Sequence, residues 1–207
     1  MRRQKFFLFC IFLLIILSLI VWFVHFPGTR ENTYQINASC ESYREEVTDI
    51  AAQYDMSDYV DLILAVMMQE SSGQGTDPMQ SSEGAYNTRY PQQPNGITDP
   101  SYSISCGIQE LKYALEKAVC TGPTDLSKIR LALQAYNFGA DSYFAYLEEN
   151  GQTVWTAQSA QAFAQMASGN TQRDEDDPLH DPAGPWDYGD QYYPDHVLRY
   201  YHLDNNS

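Results

Sequence analysis

Apolar residues fall into helical spacing from residue 41 onward. In 41–54 they stand at Tyr43, Val47, Ile50, Ala51 and Tyr54, steps of 4, 3, 1 and 3 that trace one face of a helix. Segment 57–70 opens on Ser57, a good N-cap, with Asp58 and Asp61 in its first turns. It then becomes apolar nearly all round from Leu62 to Met68. A helix without a polar face belongs at the centre of a core. Residues 71–106 are rich in Ser, Gly, Pro, Asn, Gln and Thr. So long a stretch without a period points to a functional loop, with room for a small hairpin in 77–100. Helical patterns return in 107–119, 125–137, 140–149 and 156–167. An acidic, Pro-rich stretch, 169–191, precedes a short aromatic helix over 193–203. No convincing strand alternation occurs, so the fold class is mainly α.

The N-terminus follows a different pattern. Residues 6–26 are 21 positions without a formal charge. As a helix they would rise about 31 Å, enough to cross a bilayer core. Residues 1–5 hold three cations and no acid, which favours a cytoplasmic start. The apolar run is long and Phe26-Pro27-Gly28 offers no small-residue cleavage site. The expected organisation is a basic start over 1–5, a transmembrane signal anchor over 6–26, a linker over 27–40 and one domain over 41–207. The protein is expected to be single-pass in the cell membrane, with that domain outside the cytoplasm.

Charge divides along the same line. The whole chain carries −15. Residues 27–207 hold nine Lys and Arg against all 27 Asp and Glu, a balance of −18. That excludes a basic footprint for nucleic acid and disfavours docking on anionic lipid. Cys40, Cys106 and Cys120 lie beyond the anchor; one disulfide plus a free thiol, or three buried thiols, would both be acceptable. No His-rich metal spacing or phosphate-cradling Gly loop is seen, and Asp174-Glu175-Asp176-Asp177 lacks the Gly and Glu of a calcium loop. No metal or cofactor is expected.

The informative acid is Glu70, which closes the apolar helix. Apolar neighbours and the negative end of the helix dipole both disfavour its charged form. A carboxyl kept protonated near neutral pH is what a general acid for glycosidic cleavage needs. Asp77, seven residues on, could face the same cleft as a second carboxylate or be a turn residue before Pro78; Glu83 is a weaker candidate. Ser71 could cap the helix end or bond a substrate, and Gly73 suits a left-handed turn.

Glu70-Ser-Ser-Gly73, Gly107-Ile-Gln109, Ala135-Tyr136-Asn137-Phe-Gly139 and Tyr193-Pro-Asp-His-Val197 occur in that order. Together they resemble the lytic transglycosylase and goose-type lysozyme superfamily. The run Thr76-Asp77-Pro78-Met79-Gln80-Ser81-Ser82-Glu83 is similar to the CwlT-type lysozyme-like domain within it. The resemblance covers about residues 41–203. It implies a lysozyme-like helical domain acting on peptidoglycan glycan strands, at the β-1,4 bond after N-acetylmuramic acid, with Glu70 as acid. If Asp77 takes part, hydrolysis follows; if Glu70 acts alone, the muramyl 6-hydroxyl can attack and give a 1,6-anhydro product. The resemblance also implies that Gln109, Tyr136, Asn137 and Tyr193 line the site. Pro194 departs from the family's usual Val and leaves Tyr192 and Tyr193 as alternatives. Local wall opening for a secretion or conjugation apparatus is a further implication. A scaffold that binds glycan without cutting it is the other class of function.

Overall fold

The computed structural model describes residues 34–203. The basic start, the apolar run and most of the linker lie outside the described residues. No helix among the described residues is long and apolar enough to cross a membrane. From Gln35 on, the described residues form one compact unit.

That unit is helical, as the spacing predicts. In order come α1 (Ala38–Glu41), α2 (Arg44–Gln53), a 3-10 turn (Ser57–Tyr59), α3 (Val60–Glu70), α4 (Pro100–Lys117), α5 (Leu126–Phe138), α6 (Ala140–Glu149), α7 (Ala157–Ala167), α8 (His180–Ala183) and α9 (Tyr193–Leu198). The only pairing of extended backbone among the described residues is a single bridge between Gln172 and Trp186. The 77–100 segment forms turns and no hairpin.

The all-apolar helix is central. Leu62, Ile63, Leu64, Ala65, Val66 and Met67 of α3 are completely buried. At about 1.5–3 kcal/mol per large side chain, this burial supplies much of the driving force at that position. Helix α3 packs against α2 and α9, while α5 packs against α4, α6 and α9. A second aromatic cluster joins Phe138, Tyr143, Phe163 and Tyr188, with ring centroids 5.1–5.8 Å apart. It backs the 184–192 segment: the Tyr188 hydroxyl donates to the Phe138 carbonyl at 3.1 Å.

Two boundaries differ from the sequence pattern. Folded structure begins before residue 41. Asn37 caps α1, its amide donates to the Ser72 carbonyl at 3.0 Å, and Cys40 is fully buried. This short helix closes over the end of α3. Helix α4 starts seven residues earlier than the apolar period suggests. Asp99 accepts from the Tyr102 N–H and Pro100 occupies the first turn, where its missing N–H costs nothing. That first turn is polar in sequence because Ser103 serves the loop described below. All three described cysteines are free thiols, with Cys40 and Cys106 buried.

Leu64→Ala should cost about 2–5 kcal/mol, because α3 is enclosed on every side and cannot relax around a cavity. Chemical denaturation measures it; a loss within about 0.5 kcal/mol would contradict the central placement of α3.

Candidate active site

Glu70 is the last residue of α3. The turn that follows is tight: Ser72 and Gly73 both have left-handed backbone, with φ of 55° and 70°. A Cβ on Gly73 would lie 2.7 Å from the Cys40 nitrogen, so a glycine is required for α1 to close here. The Glu70 carboxyl accepts a short hydrogen bond from the Tyr193 hydroxyl at Oε1. Tyr193 is 2% exposed. Tyr192 is instead tied to Gln161, whose amide donates to its hydroxyl at 2.6 Å. The geometry therefore selects Tyr193.

Burial raises Glu70 from 4.5 to about 7, with smaller contributions from Asp190 and Asp77, and the Tyr193 hydrogen bond opposes the shift. The cause is the one expected from sequence: an apolar helix carries a carboxyl into a poorly solvated place. With Oε1 held by Tyr193, Oε2 is the oxygen left to carry a transferable proton. Tyr136 stacks on Tyr193, centroids 6.3 Å apart and planes at 21°. Its hydroxyl donates to the Met79 carbonyl at 3.0 Å. Tyr136 thus builds the wall behind Glu70 and anchors the loop.

Asp77 is 1% exposed. Its Oδ1 accepts from the Ser81 N–H at 3.0 Å and the Ser103 hydroxyl at 2.6 Å. Its Oδ2 accepts from the Ser82 N–H at 3.1 Å and from the Ser82 hydroxyl. The network continues outward: Ser103 accepts from the Met79 N–H at 3.1 Å, and Ser82 accepts from the Ile97 N–H at 2.9 Å. Four donors fill the acceptor capacity of this carboxylate. The long polar loop is therefore an ordered structure nucleated on Asp77.

Other sequence candidates are also engaged by protein. The Ser71 hydroxyl donates to the Pro78 carbonyl at 2.8 Å and accepts from the Gly73 N–H at 3.0 Å, so it ties the helix end to the loop. The Gln109 amide turns back to its own helix, donating to the Ser105 carbonyl at 3.0 Å. Ser105 in turn bonds the Tyr54 hydroxyl at 2.8 Å, which puts Gln109 toward α2. Asn137 Oδ1 accepts from the Asp190 N–H at 2.8 Å. Glu83 is exposed.

The structure adds groups that motif reading missed. Buried Gln134 receives the Trp155 indole N–H at 2.9 Å and donates to the Asp190 carbonyl at 2.8 Å. Asp190 pairs with His196 Nδ1 at 2.5 Å. These bonds position the segment that delivers Tyr193. Glu110, beside Gln109 on α4, is also raised to about 7 by burial. A signal for it exists in sequence: an acid on the stripe Ser103, Gly107, Ala114 of an otherwise buried helix face.

The lysozyme-like family model matches residues 38–201. The chain belongs to the lysozyme-like family. It is 34% identical over 178 residues to the bifunctional muramidase/DL-endopeptidase CwlT of Bacillus subtilis, covering 84% of this chain and 46% of that protein. It is 39% identical over 115 residues to the B. subtilis membrane protein YocA, covering 54% of this chain and 45% of that one. A Staphylococcus aureus crystal structure, described as similar to lipoprotein and of the NLP/P60 family, superposes with a TM-score of 0.68 at 26% identity. The match covers 84% of this chain and 56% of that one. The chain spans about half the length of the curated relatives it matches. The likeness to CwlT supports the family resemblance read from the four motifs.

Two outcomes follow. Glu70 has a folded-state value above its ordinary 4.5, so its neutral form favours folding at low pH and this contribution is lost as pH rises through about 7. Glu70→Gln carries no charge at any pH. Its stability relative to the parent should improve by about 2–3 kcal/mol between about pH 5 and about pH 8. An unchanged difference in thermal denaturation would contradict the buried-acid assignment. Asp77→Asn sets an amide donor against the Ser81 and Ser103 donors or against those of Ser82. It should cost at least about 2 kcal/mol; an unaffected denaturation midpoint would show that Asp77 does not organise the loop.

Proposed function

We propose that this chain is a cell-wall glycosidase of the N-acetylmuramidase type. It cleaves the β-1,4 bond between N-acetylmuramic acid and N-acetylglucosamine in peptidoglycan, with Glu70 as general acid. The observation that carries the reading is the Glu70–Tyr193 pair: a half-buried carboxyl at the end of an apolar helix, raised to about 7 by poor solvation, with one oxygen held by a hydroxyl. At neutral pH a substantial share of Glu70 is protonated. Its proton passes to the glycosidic oxygen as the bond to the muramyl C1 breaks. Such proton donation contributes about 10²–10⁴ to rate. The kinship with the muramidase/endopeptidase CwlT supports peptidoglycan as substrate.

A lytic transglycosylase is the second reading, and one observation favours it. Asp77, the carboxylate expected to assist water, is saturated by Ser81, Ser82 and Ser103. Attack by the muramyl 6-hydroxyl would need no ordered water from Asp77. We attach the enzyme to the outer face of the membrane through residues 6–26, whose 21 uncharged positions follow three cations. A tethered glycosidase with an acidic domain cuts where it stands and does not spread along an anionic polymer. That suits local opening of the wall for a secretion or conjugation apparatus. A glycan-binding scaffold would have no use for a carboxyl that is costly to bury.

Purified peptidoglycan digested by the full chain in detergent should yield new reducing ends. Glu70→Gln should lower the rate by at least about 100-fold while still binding glycan. Anhydro-muramic ends in place of reducing ends would favour the transglycosylase. Undiminished cleavage by Glu70→Gln would refute the mechanism.

A further inference from the structure

Glu110 is an acid to which the Glu70 chemistry gives no task. It sits on α4, facing inward between Gly107 and Ala114, both buried. Its Oε1 is buried and has no hydrogen-bond partner. The loop accommodates it by the absence of a side chain: a Cβ on Gly84 would fall 1.4 Å from that oxygen. Gly84 has no left-handed backbone to explain it. The glycine is there to make room for the carboxyl.

Burying an acceptor without a donor costs about 1–3 kcal/mol, more for a charged group. A structural role would be expected to recover that cost through bonds, as Asp77 does with its four donors. Glu110 does not. It also lies within electrostatic reach of Glu70: each of Asp77 and Glu70 raises it, on top of burial, while the Tyr86 backbone amide opposes. The titratable neighbours are Glu70 from α3, Asp77 and Tyr86 from the loop, Cys106 from α4 itself and Tyr136 from α5. An ionised Glu70 acts in the same sense as burial and makes the Glu110 proton harder to lose. One carboxylic acid and one carboxylate is the arrangement that glycoside hydrolysis requires. Asp77 cannot complete it, because its lone pairs are filled.

We propose that Glu110 is the second carboxyl of the cleft, the base that takes a proton from the attacking water. The proposal rests on the muramidase reading. In the step, the water oxygen forms a bond to the muramyl C1 as the bond from C1 to the leaving oxygen breaks. One water proton goes to Glu110, and the Glu70 proton goes to the leaving oxygen. The pair is left with its proton on the opposite partner, and exchange with solvent restores the starting form.

The test uses the full chain and purified peptidoglycan, with Glu110→Gln, Glu110→Ala and Gly84→Ala beside Glu70→Gln. Glu110→Gln is expected to release reducing ends about 100-fold more slowly, since base catalysis contributes on that order, and to fold with a thermal midpoint no lower than that of the parent. Azide, a nucleophile that needs no base, should restore Glu110→Ala at least tenfold and yield a muramyl azide detected by mass. Gly84→Ala is sterically mild, because the atom it meets is the end of a flexible side chain. It should displace the carboxyl and slow the reaction at least tenfold in a folded protein. Glu110 variants within about twofold of the parent, or a loss that azide does not restore, would overturn the proposal. Anhydro-muramic products from the parent would also overturn it. If only the Glu70 variant loses activity, the muramidase reading stands and Glu110 is dismissed; if the parent cuts nothing, both fall.

Discussion

Everything in the site depends on holding a carboxyl where water solvates it poorly. Helix α3 does this by being apolar on all sides, with six consecutive residues from Leu62 to Met67 buried. It projects Glu70 from its C-terminal end, where the helix dipole also disfavours a negative charge. The chain must then turn sharply away from that end, and it does so through left-handed Ser72 and Gly73, with α1 packed across them. The cost of burying Glu70 is offset by one donor, the Tyr193 hydroxyl. A second donor would favour the ionised form further and spoil the acid.

The surrounding polar network can be read as support for that one position. Asp77 gathers Ser81, Ser82 and Ser103, and through them the Met79 and Ile97 amides, so a long loop is fixed beside the helix end. Ser71 and Tyr136 stitch the same loop to α3 and α5 through the Pro78 and Met79 carbonyls. On the other side Gln134, Asn137 and Asp190 tie α5 to the segment leading into α9. Each of these groups spends its hydrogen bonds on the protein. They position Tyr193 and the loop, and leave the chemistry to the carboxyls.

Much of the fold was legible in the chain. The helical period located α2, α3, α5, α6 and α7 within a few residues, because each shows a continuous apolar stripe. It lost the start of α4, where Ser103 and Cys106 are buried for reasons of bonding and close packing that hydrophobicity does not record. It also lost α1, a four-residue helix too short to show a period. At the site, Glu70 was legible because its cause is local: an apolar helix ending in an acid. Asp77 was legible as important but its task was not, since its partners come from residues up to 26 positions away. Gln109 and Glu110 are neighbours about 100° apart on α4. Deciding which of them turns toward the loop at Gly84 needed the packing of the whole domain.

Acid catalysis here requires that Glu70 keep a proton near neutral pH. The direct measurement is a titration of its side-chain carboxyl, by carbon NMR of selectively labelled Glu or by the infrared difference between the parent and Glu70→Gln. A midpoint near 7 is expected, as burial dictates. A midpoint at the ordinary 4.5 would mean the carboxyl is ionised at neutral pH, and the mechanism built on it would be wrong.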